Sequence, residues 1–138
     1  MLLCIAVVLA VSWSNWAQKP ASPAPLPFSP ARKAGPALYV SGQVARTPDG
    51  QEVRASIEAE TRQVMDNLSR ILKEQGYTFD DVVNATVYLA DIKDYAAMNK
   101  VYASYFQGNF PARACVGGAS LVFGFKVEIS CVAHKNGI

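Results

Sequence analysis

Residues Ser56 to Gln75 read as one long helix with a single apolar face. Ile57, Val64, Leu68, Ile71 and Leu72 recur at helical spacing, with Thr61 among them. Ser56 suits an N-cap, Glu58 and Glu60 suit the positive end of the helix dipole, and Gly76 suits the left-handed residue that closes a helix. Such a face must be covered, and only one other segment reads as helix. That is Tyr95 to Phe106, with Tyr95, Met98, Val101, Tyr102, Tyr105 and Phe106 on its buried side and Asp94 as its N-cap. The cover therefore has to be a sheet. Ala37–Ala45, Asp81–Ala90, Ala112–Ala119 and Phe125–Ala133 read as strands, and Arg32–Ala34 as a short one pairing with the first. Thr47-Pro48-Asp49-Gly50 is a turn, and Gly117-Gly118 marks a bulge or a close backbone approach. The order β-β-α-β-α-β-β predicts an α+β domain of two layers, both helices on one face of a mixed sheet. The other sheet face is left open. Apolar residues there call for cover by another chain, so oligomerisation is expected.

The 138 residues suffice for one domain. Residues 1–17 carry no Lys, Arg, Asp or Glu, and Leu2 to Val11 is an unbroken apolar run. That run is about half the length of a membrane-spanning helix. Ser12, Ser14 and Ala17 follow it, so 1–17 reads as a secretory signal cut after Ala17 or Ser14. Export to a periplasm or out of the cell is expected, with no stable membrane insertion after cleavage. The missing basic n-region leaves two other readings open: a mis-assigned start, which would make the protein cytoplasmic, and a retained anchor. Pro20, Pro23, Pro25, Pro27, Pro30 and Pro36 disfavour helix, so 18–27 reads as an extended tether and 28–138 as the domain.

Thirteen Lys and Arg against eleven Asp and Glu give a charge of +2, with no clustering. That gives little electrostatic support to nucleic-acid binding. His134 is the only histidine, so a Ser-His-Asp triad, a Cys-His dyad or a His-based metal site would all have to use it; it reads as a surface residue at a strand end. There is no C-x-x-C, G-x-G-x-x-G or P-loop, so the chain shows no signature for zinc, a dinucleotide or ATP. Chemistry is left to Arg113, Cys115 and Glu128. Arg113 and Cys115 are two apart on a strand and share a face. Arg113 lies in apolar F-P-A-R-A-C-V and Glu128 in apolar K-V-E-I-S-C-V. Charges enter such runs when paired or functional, and a plain buried ion pair is as compatible with them as a site. If Arg113, Cys115 and Glu128 share a pocket face, Cys131, three residues past Glu128, faces the helices. A Cys115–Cys131 disulfide is then excluded and both thiols are free. Cys4 lies in the leader and is poorly placed for lipidation.

L-Y-V-S-G-Q-V (38–44), T-R-Q-V-M-D-N-L (61–68), D-V-V-N-A-T-V-Y-L (81–89), N-K-V-Y-A-S-Y-F (99–106), F-P-A-R-A-C-V (110–116) and V-E-I-S (127–130) together resemble the RidA/YjgF/UK114 family of reactive-intermediate deaminases. The resemblance implies a chorismate-mutase-like fold and a homotrimer with sites in clefts between subunits. It also implies cofactor-free hydrolysis of 2-enamino and 2-imino acids to 2-keto acids and ammonia. By position, Arg113 would bind the substrate carboxylate and Glu128 would position water and shuttle protons. Cys115, Ser41, Gly42 and Asn99 would line or support the ligand. Phe28 stands where many members carry a Tyr, so a hydroxyl is missing there, and A-S-L-V (119–122) replaces a common A-R-L-P. A non-catalytic trimer that holds small carboxylates is the alternative. An endoribonuclease is a further one, disfavoured by the charge pattern.

Overall fold

A computed structural model describes residues 26–135. The leader read over 1–17, and most of the tether over 18–27, lie outside the described residues.

Seven main elements follow the expected order: β1 (Ala31–Ala34), β2 (Ala37–Gln43), α1 (Ile57–Glu74), β3 (Val82–Leu89), α2 (Tyr95–Ala103), β4 (Ala112–Val116) and β5 (Val127–His134). The strands form one sheet in the order β1-β2-β5-β3-β4. All neighbours are antiparallel except β3 and β4, whose parallel pairing is made possible by the α2 crossover. Both helices pack on one face, giving the two-layer α+β arrangement that the alternation of segments implies.

The α1 face is apolar where it meets the sheet. Val64, Met65, Leu68 and Leu72 bury against Leu38, Val127 and Ile129 in one cluster. The Ser56 hydroxyl accepts the Ala59 N–H, capping the helix as its sequence suggests. At the other end Gly76 takes φ +84°, a conformation open to glycine at little cost. Two polar side chains fasten the layer. Asn67 donates to the carbonyls of Val44 and Arg46 at 3.1 and 2.8 Å. Glu60, 1% exposed, accepts the backbone N–H of Lys126 at 2.7 Å.

Three local expectations are corrected. The second helix stops at Ala103; Tyr105 and Phe106 pack from the turn that follows, and Tyr95 is exposed rather than buried. Its entry is capped one 3₁₀ turn earlier than expected: the Asp91 carboxylate accepts from the Lys93 N–H, whereas the Asp94 side chain makes no capping bond. The fourth strand ends at Val116 instead of Ala119, because Gly117 passes so close to Ile92 that an added β-carbon would lie 2.6 Å from the Ile92 Cβ. That is the close approach which the glycine pair signals.

Side chains on the far face of the sheet have no layer over them. Tyr39, Tyr88 and Val116 are exposed there, alongside Thr86, Ser130 and Val132.

Replacing Glu60 by Ala removes a charge-assisted bond and leaves the part-buried Lys126 N–H without its acceptor. The expected loss is about 2 kcal/mol of stability, and Glu60→Gln, which keeps an acceptor, should lose less than half of that. Denaturant midpoints at neutral pH measure both.

Candidate functional site

Register decides where the site residues point. On the edge strand β4, Arg113 lies beside Ala85 and Cys115 beside Val87. Ala85 and Val87 are buried under the helices. Arg113 and Cys115 therefore lie on the helix side, at the margin of the sheet. The Arg113 guanidinium sits 4.6 Å from the ring centre of Tyr102 and 5.8 Å from that of Tyr95, and its Nη2 donates to the Tyr95 hydroxyl at 3.4 Å. A cavity of about 390 Å³ opens beside it, lined by Asn99, Tyr102, Ala103, Phe110, Pro111 and Arg113. Asn99 Oδ1 and the Tyr102 hydroxyl are buried without a hydrogen-bond partner. Burial pushes the Tyr102 hydroxyl up to about 12, with Arg113 pulling the other way. It therefore stays protonated at neutral pH and can donate. Among the described residues no carboxylate is within ion-pair distance of Arg113.

Glu128 lies on β5 beside Tyr88, on the open face. A bulge in β2 between Val40 and Gln43 carries Ser41 and Gly42 past it. Gly42 leaves room for the Glu128 side chain, which a β-carbon at that position would displace at its carboxylate. The N–H of Ser41 donates to the Pro30 carbonyl at 3.0 Å and its hydroxyl to the Ser29 carbonyl at 2.6 Å. These bonds hold the segment that bears Phe28. Phe28, Ser41, Gly42 and Glu128 line a second cavity of about 640 Å³, together with Arg46, Val122 and Phe123.

The expected constellation is thus divided within one chain. Asn99 and Arg113 line the helix-side cavity, with Cys115 on the same strand face. Phe28, Ser41, Gly42 and Glu128 line the other cavity. The shared pocket face on which the cysteine parity was reasoned does not exist in a single chain, and neither does a plain Arg113–Glu128 ion pair. Cys131 does face the helices, beside Ala85, but so does Cys115, beside Val87. What keeps the two sulfurs apart is the intervening strand β3, and both thiols are free. His134 ends β5 beside Ala37, half-buried. No group of three or more His, Cys, Asp or Glu among the described residues could hold a metal ion.

Sequence reasoning missed the tyrosines that embrace Arg113. Tyr95 and Tyr102 are seven apart, so they stack on one side of a helix. That spacing is equally the signature of core packing. Phe123 was also missed, although the departure at A-S-L-V lies just before it.

Residues 18–135 match the family described as Endoribonuclease L-PSP. The chain belongs to this family. The Saccharomyces cerevisiae protein named MMF1, mitochondrial, is 43% identical over 119 residues, which cover 86% of this chain and 82% of that one. The mouse protein named 2-iminobutanoate/2-iminopropanoate deaminase is 43% identical over 108 residues, 78% of this chain and 80% of its own length. The crystal structure of yeast Mmf1 superposes with a TM-score of 0.78 at 41% identity, covering 83% of this chain and 91% of that one. The RidA resemblance of the motifs and the two-layer fold are thereby established for this family member.

Burial raises the Cys131 thiol to about 12 and also raises Cys115, against the opposing pull of Arg113. A raised thiol holds less thiolate at a given pH, so both should react more slowly than free cysteine. In a Cys4→Ser chain at pH 8, iodoacetamide should modify Cys115 slowly and leave Cys131 untouched until urea is added. Peptide mass spectrometry reads the order.

Proposed function

We propose that the protein hydrolyses 2-imino and 2-enamino acids to 2-keto acids and ammonia, at clefts where the Arg113 cavity of one copy meets the Glu128 cavity of another in a homotrimer. The observation that carries this reading is Arg113 itself. Among the described residues it is a cation with no carboxylate partner, braced by two tyrosine rings, beside a cavity that holds two unpartnered polar atoms. Buried polar groups without partners are rare, and this set matches an incoming carboxylate. Relatives named as imine deaminases at about this level of identity support the same chemistry.

Arg113 would grip the substrate carboxylate through two parallel hydrogen bonds, with the protonated Tyr102 hydroxyl as a third donor nearby. Glu128 would accept a proton from water as that water attacks the C2 carbon of the imine. The C=N bond becomes C–N in a carbinolamine. The nitrogen takes up protons and leaves as ammonia, and the C2 hydroxyl becomes the keto group. An enamine enters the same path once C3 is protonated. The apolar, partly covered cavities strengthen each charge interaction relative to water. The unpartnered sheet face, with Tyr39, Tyr88 and Val116 exposed, is consistent with assembly around it. For RNA cleavage, the activity in the family's description, the even spread of charge lends little support.

Generating 2-iminobutanoate in situ and following keto-acid release tests this reading. Arg113→Ala should lower the rate roughly a hundredfold while leaving a folded oligomer of unchanged mass. Arg113→Lys should also be weak, because a point charge replaces a fork. Glu128→Gln should leave carboxylate binding in place and remove turnover. A wild-type protein that binds 2-oxobutyrate but gives no rate above buffer would instead be the non-catalytic carboxylate binder, a reading favoured by the phenylalanine at position 28.

A further inference from the structure

The loop between β4 and β5 carries the one non-glycine residue with positive φ among those described. Phe123 has φ 55° and ψ 12° inside a short 3₁₀ turn, Val122–Gly124. A bulky residue seldom adopts this backbone unless its surroundings impose it. Here they do. Arg54 donates to the Phe123 carbonyl at 2.6 Å and to the Gly124 carbonyl at 3.2 Å. The Arg46 guanidinium lies 4.4 Å from the Phe123 ring centre, and Glu52 joins both arginines at 2.7 and 2.8 Å. Phe125 meets the ring edge-on at 6.4 Å. This clamp does not bury the ring, which stays 65% exposed. A strained turn braced from three sides to hold an aromatic surface in the open is costly for packing alone, and its position gives it a use. Phe123 lines the Glu128 cavity, as does Phe28, itself exposed.

We propose that Phe123, with Phe28, forms the wall of the Glu128 cavity that receives the substrate's side chain, and that it selects 2-imino acids bearing large apolar groups, aromatic ones above all, over 2-iminopropanoate. This rests on the deaminase reading above and adds the substrate class. Arg113 answers the carboxylate that every 2-imino acid shares. Discrimination must come from what touches the variable group, and here that is two phenylalanine rings together with Leu26, Pro30 and Val122. At about 640 Å³ the cavity falls within the range of sites for drug-sized ligands, and it exceeds the need of a three-carbon acid. An aromatic substituent gains offset or edge-on stacking from such a wall, and a methyl group cannot.

The test uses the full chain and imines made in situ from phenylalanine, leucine and alanine by an L-amino-acid oxidase. The wild-type kcat/KM should be at least tenfold higher for the phenylalanine-derived imine than for the alanine-derived one, with leucine between. Phe123→Gly removes the ring and takes the same backbone without strain; it should bring the phenylalanine-to-alanine ratio within twofold of one. Phe123→Leu should recover part of the preference. A wild-type ratio below ten, a ratio that Phe123→Gly leaves unmoved, or a loss of oligomer mass in that variant by light scattering overturns the inference while the deaminase reading stands. The last outcome would make the ring an inter-copy contact. If no imine is hydrolysed above buffer, the deaminase reading falls, and calorimetry with phenylpyruvate and pyruvate decides the wall. A preference for phenylpyruvate that Phe123→Gly abolishes supports it, and equal affinities overturn it.

Discussion

One strand register governs the chemistry this chain can offer. Because β4 lies parallel to β3 with Arg113 beside Ala85, the guanidinium is turned toward α2 and meets two tyrosine rings in place of a carboxylate. A shift of one residue would turn Arg113 away from the tyrosines and onto the open face that Glu128 shares. Instead each charge faces its own cavity. A charge with no carboxylate partner among the described residues is costly to keep at a sheet margin, and the braced guanidinium makes sense as half of a binding site.

The fold was legible because its parts are redundant. α1 shows its apolar face, its Ser56 cap and its Gly76 terminator in sequence, and each points to the same helix. The seven-element order follows from where helical and strand-like periodicities alternate. The misreadings lie at element ends. Whether α2 stops at Ala103 or runs to Phe106 cannot be told from apolar spacing, because the turn after a helix can bury the same aromatic residues. The Asp91 cap was hidden behind Asp94, since either acid could start the helix and backbone geometry chose between them.

The candidate site was legible in its residue types and not in its arrangement. Arg113 and Glu128 stand out as charges in apolar runs. Alternation along one strand says which residues share a face of that strand, but it does not say how the face of one strand relates to that of another. Register across β5, β3 and β4 supplies that link, and it reverses the parity argument for the cysteines while leaving their free state intact. Gly42 illustrates a different limit. The room it leaves is taken by the Glu128 carboxylate on a neighbouring strand, a partner that nothing within S-G-Q reveals.

The division of Arg113 and Glu128 between two separate cavities has a genetic consequence. Under the proposed assembly, every cleft takes its cation from one copy and its acid from the next. Chains lacking Arg113 and chains lacking Glu128 would each be inert alone. Mixed together, they would rebuild intact clefts wherever an unaltered margin abuts an unaltered face. Two defective alleles could then complement each other, and a single chain lacking one of the two residues would silence one cleft of a trimer and leave the other two at work.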